Sequence, residues 1–119
     1  MPGTANDIPW PDWTRNNPPD ELKPVIDKLL RMAIADRLHT RGGDGTGTWG
    51  WFLDHGTQAR AATLDESEVI WLLEEHGCLV PGQTRVLKDE SGEPFNAELM
   101  EITPAGRGLF ERLNPKSAR

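Results

Sequence analysis

The sequence predicts a single α+β domain, and three observations carry that expectation. Apolar residues recur at helical spacing from about Glu21 to His39. A second helix, Asp65 to His76, has its own start and stop signals. Two alternating segments then flank a polar turn, and Thr103-Pro104 opens a last helix.

Asp20 caps the first helix in this reading, with Pro24 in the first turn, where backbone N–H groups have no helical acceptor. Leu22, Val25, Ile26, Leu29, Leu30, Ala33 and Leu38 mark its apolar face. The glycines of residues 42–47 end it and form a loop. Thr48 to Leu53 alternates and is aromatic, which reads as a short strand, and Asp54-His-Gly56 reads as a turn. Thr57 to Thr63 reads as a short helix with little apolar weight. Asp65 as cap with Glu68 three residues on makes a capping-box pattern, and Gly77 is the stop. Val69, Leu72, Leu73 and His76 mark one face of that helix; Ile70 and Leu73 share a neighbouring one. Thr84 to Lys88 and Ala97 to Ile102 are the two strands, joined through Asp89 to Pro94. Thr103 caps the final helix, whose Leu109, Phe110 and Leu113 return to the core.

The domain therefore spans residues 20–113, with a Pro/Trp-rich arm at 1–19 and a short polar tail at 114–119. Prolines 2, 9, 11, 18 and 19 argue for an extended arm. Trp10 and Trp13 within it either clasp the domain or dock on a partner.

The chain has 119 residues and a formal charge of −6. That balance disfavours a protein whose main work is gripping phosphates. Cys78 is the only cysteine, so no internal disulfide forms and a reducing, cytoplasmic setting is expected. No signal-like leader opens the chain, and no apolar run approaches the ~20 residues that span a bilayer.

The order of helix, two-stranded hairpin and Thr103-Pro-Ala-Gly-Arg107 resembles the winged-helix domains of small bacterial transcription regulators, of the multiple-antibiotic-resistance and phenolic-acid-repressor kinds. The match lies mainly in residues 65–113. It implies a winged helix of three or four helices with a two- or three-stranded wing. It also implies that the helix from Asp65 occupies the place of the DNA-recognition helix. The outward candidates there are Glu66, Ser67, Glu68, Trp71, Glu74 and Glu75, with neither Lys nor Arg. Carboxylates facing phosphates repel them. An aromatic among polar residues is typical of protein interfaces; the alternative is that Trp71 packs on the arm.

Two functional expectations follow. The first is a non-catalytic regulatory or adaptor module that meets a protein, or a second copy of itself, through Trp71, Glu66, Glu68, Glu74 and Glu75, with Trp10 and Trp13. The second is a dimeric regulator of double-stranded DNA using Arg60, Ser67, Arg85 and Lys88. No cofactor or metal is expected. His39, His55, His76 and Cys78 lack four-ligand spacing. Gly42-Gly-Asp-Gly-Thr46 resembles a signature of NAD kinases and diacylglycerol-type lipid kinases, but here it follows a helix end in a chain too short for those enzymes. Glu74 and Glu75 are adjacent on a helix and point about 100° apart, so they build no acid/base pair.

Overall fold

A computed structural model describes residues 18–43 and 47–114. Trp10 and Trp13 lie outside the described residues. A 3₁₀ turn at Asp20–Leu22 leads into α1 (Lys23–Ile34), followed by β1 (Leu38–Gly43), β2 (Gly47–His55) and β3 (Gln58–Ala61). Helix α2 (Leu64–Glu75), the hairpin of β4 (Leu79–Lys88) and β5 (Pro94–Ile102), and α3 (Pro104–Leu113) complete the order. The chain is thus α+β, with three α-helices and a five-stranded sheet among the described residues.

The strands run β1-β2-β3-β4-β5 and close into a barrel. All neighbours are antiparallel except β3 and β4, which meet in parallel at Gln58 and Lys88. That seam is held by the Lys88 N–H donating to the Thr57 carbonyl at 2.8 Å, and by the Gln58 amide donating to the Asp89 carbonyl at 3.0 Å.

Alternation along the strands builds two cores. Leu38, Phe52, Leu79 and Met100 turn outward from the barrel to meet Ile26, Leu29 and Leu30 of α1, Ile70 and Leu73 of α2, and Leu109 of α3. Ala59, Leu87, Phe95 and Ala97, with Trp51 and Leu53 against them, occupy the opposite, enclosed face. Cys78 is buried in the helix-side core. Val25 and Leu22 are only partly buried there.

Several boundaries differ from the expected ones, each for a physical reason. The first helix ends at Ile34 rather than His39, because Asp36 takes a left-handed φ of 60° and turns the chain. Leu38 continues the helical spacing in sequence yet is buried from a strand. Residues 57–63 form no helix. Arg60 and Ala59 face opposite sides of β3, and the strand pairs with β2. The second helix is capped two residues earlier than expected. Thr63 Oγ1 accepts from the Glu66 N–H at 3.1 Å and Glu66 Oε1 accepts from the Thr63 N–H at 2.8 Å, so Thr63 and Glu66 make the capping box in place of Asp65 and Glu68. The hairpin strands extend beyond the expected 84–88 and 97–102. Their turn is tied by Asp89, whose Oδ1 accepts from the N–H of Ser91 at 2.9 Å and of Glu93 at 3.0 Å. Thr103 caps α3 through the Gly106 N–H, with Pro104 in the first turn, as expected. No helix among the described residues is long and apolar enough to cross a membrane.

Candidate functional site

Helix α2 lies directly on β2. The Gly50 N–H donates to Ser67 Oγ at 3.0 Å. A Cβ at Gly50 would run into the end of the Ile70 side chain and approach Ala62 Cβ at 3.1 Å, so a larger residue there would require the α2 side chains to shift. Ser67, Val69, Ile70 and Leu73 form the buried side of α2. This corrects the expected outward position of Ser67: it is 6% exposed and its hydroxyl is spent on the strand beneath.

Glu66 is also committed inward. One oxygen closes the capping box and the other accepts from Lys28 Nζ of α1 at 2.5 Å. Burial works against its charge, but Lys28 and Thr63 outweigh burial and hold its carboxyl below the usual range.

What remains outward is a stripe. Leu64, Glu68, Trp71 and Glu75 follow one another at four- and three-residue steps, the spacing of a single helix face. Leu64 is 57% and Trp71 40% exposed. Glu68 and Glu75 make none of the ion pairs found among the described residues. Glu74 stands at the edge, half-buried, and its carboxyl is pushed up by burial and then by the nearby Glu75 and Glu98. Trp49 is a further exposed aromatic; its indole N–H donates to the Ala62 carbonyl at 2.9 Å, beside the segment that enters α2.

The cationic candidates sit on other elements. Arg60 pairs with Asp54 at 3.1 Å and stacks over Phe52 at 4.9 Å. Arg85 donates to the Asp36 carbonyl at 3.4 Å. Lys88 is exposed at the barrel seam. Among the described residues no group of three or more His, Cys, Asp and Glu could hold a metal ion.

Sequence reasoning overlooked two features. The exposed Leu64 was hidden because a cap at Asp65 would have left it ahead of the helix. The other feature is inside the barrel, where His39 and Trp51 are cross-strand partners. His39 is fully buried, and its Nδ1 lies 3.3 Å from the Arg37 carbonyl, an arrangement that places the proton on Nδ1. Its Nε2 and the Trp51 N–H are buried without a hydrogen-bond partner. Burial, above all, holds the His39 imidazole below its usual pKa. The Trp-Gly-Trp-Phe alternation of 49–52 was the available signal for this face.

No family model, no curated protein and no solved structure matches the chain.

Proposed function

We propose that this protein is a small non-catalytic regulatory or adaptor module whose working surface is the outward face of α2. The observation that supports it is the stripe Leu64–Glu68–Trp71–Glu75: two exposed apolar side chains alternate with two acids that make no ion pair among the described residues. An aromatic anchor rimmed by charge is the usual make-up of a protein contact. Its acids suit a partner with a basic rim, or an acid-tolerant face on a second copy of the chain. Glu74 extends the acidic border, whereas Glu66 belongs to the fold rather than the surface. In the same reading α2, the β4–β5 hairpin and α3 are a winged-helix unit, with strands β1 to β3 standing where that family has its first helix-turn-helix segment. The protein acts inside the cell.

Binding of double-stranded DNA is the competing reading. It would rest on Arg85 and Lys88, since Ser67 is buried and Arg60 is occupied by Asp54. Titration with mixed-sequence duplex at low salt separates the two. A protein-contact module gives no mobility shift at micromolar protein. A shift that falls steeply with added salt, and weakens in Arg85→Ala/Lys88→Ala, overturns the proposal.

A further inference from the structure

The stripe on α2 is distinguished by its steps as well as its exposure. Leu64, Glu68, Trp71 and Glu75 stand four, three and four residues apart and run from the first residue of the helix to the last. That order of steps is the seam along which two helices lie side by side, each seam residue entering a gap on the facing helix. Most such seams are apolar throughout. Here Leu64 and Trp71 take one set of positions and Glu68 and Glu75 the other. The opposite side of α2, with Ser67, Val69, Ile70 and Leu73, is turned to the protein's own interior. Neither Leu64 nor Trp71 belongs to either core, and Glu68 and Glu75 make no ion pair among the described residues.

Charge decides what can lie along this seam. No basic residue stands in the last turn of α2, and Glu74 and Glu75 close it. The nearby Glu75, and Glu98 of β5, add to burial in pushing the Glu74 carboxyl up. Acids therefore gather at the helix end that already carries the negative pole of the backbone. A second copy of α2 laid along the first would set Glu against Glu if parallel, and Glu against Leu64 or Trp71 if antiparallel. The first arrangement repels, and the second takes carboxylates out of water with no counter-charge. A facing helix with cations opposite the acids avoids both.

We infer that the outward face of α2 docks an amphipathic helix of another protein, whose seam alternates aliphatic residues with Arg or Lys at the same four- and three-residue steps. Its aliphatic residues cover Leu64 and Trp71, and its cations meet Glu68 and Glu75 while their methylene stems lie over the apolar positions. The 12 residues of α2 make a contact about 18 Å long, which suits a reversible partner. This rests on α2 being the working surface, and it chooses a basic partner over a second copy of the chain.

The test is fluorescence anisotropy of labelled synthetic helices, about three heptads long, titrated with the full chain. One peptide alternates Leu and Arg along its seam. A second has the same composition with the Arg residues moved to its outer face, and a third carries Glu in place of Arg. The first is expected to bind, the other two at least about tenfold more weakly, and Trp71→Ala to weaken the first about tenfold. Glu68→Lys with Glu75→Lys leaves the chain net negative, yet is expected to reverse the ranking of the first and third peptides. General attraction between an acidic chain and a basic peptide does not produce that reversal. Equal binding of the two Arg peptides, an unreversed ranking in the Lys variant, or no binding of the first up to about 1 mM overturns the inference. So does a dimer in sedimentation equilibrium that Trp71→Ala disperses, which would give the face to a second copy. Any of these beside protein adducts captured in the cell from position 68 would leave α2 as a contact surface and remove only the basic helical partner.

Discussion

Gly50 and Ser67 show how one contact decides a whole surface. The strand N–H needs an acceptor because it is covered by a helix, and Ser67 Oγ supplies it. Ser67→Ala leaves that N–H buried and unpaired, so urea unfolding should show a loss of about 1–3 kcal/mol. A loss within the measurement error would mean the helix sits elsewhere. His39 makes a second prediction at this scale. Its imidazole is buried neutral, with Arg85 and Asp36 as the charged groups that influence it, so its folded pKa lies below the 6.5 of the free side chain. The unfolded chain then binds a proton that the folded chain refuses. Stability is expected to be level above about pH 6.5 and to fall as the pH drops below it. Urea midpoints at pH 7.5 and 5.5 check this: His39→Phe should flatten the drop relative to wild type. An equal drop in both proteins would show that other groups cause it.

At the scale of elements, the cap of α2 is the sharpest case. Thr63→Ala is expected to cost about 1 kcal/mol, and Asp65→Ala a few tenths at most. The reverse ranking would return the cap to Asp65. Both residues satisfy the same x-x-Glu pattern in the sequence, with Glu66 and Glu68 as alternatives, so local spacing alone could not choose between them. Burial chose: beginning at Leu64 turns Ser67, Ile70 and Leu73 inward together. The helices themselves were legible, because α1 and α3 have one-sided apolar faces and Thr103-Pro104 is an unambiguous start. Leu38 was misleading, since a residue at helical spacing can equally face the same core from a strand. Strand β3 was unreadable for a related reason. Its Ala59 and Ala61 carry no β signal of their own, and it owes its pairing to β2 and to the seam with β4. Of the candidate site, Trp71, Glu68 and Glu75 were read as outward and are exposed. The inward roles of Ser67 and Glu66 depend on β2 and α1, which lie far off in sequence.

For the whole molecule, the barrel and the helices divide the work. The barrel's enclosed face and the helix-side core fix α2 from beneath, and among the described residues Glu68 and Glu75 of its outer face make no ion pair. Glu68→Lys with Glu75→Lys is accordingly expected to change stability by less than about 0.5 kcal/mol while removing partner binding. The net charge of −6 disfavours contact with phosphate backbones, in keeping with a proposed contact with protein. The most direct measurement is site-specific photo-crosslinking in the native cell, with a benzophenone side chain at position 68 of α2 or at position 90 in the β4–β5 turn. Discrete protein adducts are expected from position 68, and their loss when Leu64→Ala and Trp71→Ala are added. Absence of any protein adduct from position 68, or an equal yield from position 90, would contradict the assignment of α2 as the working surface.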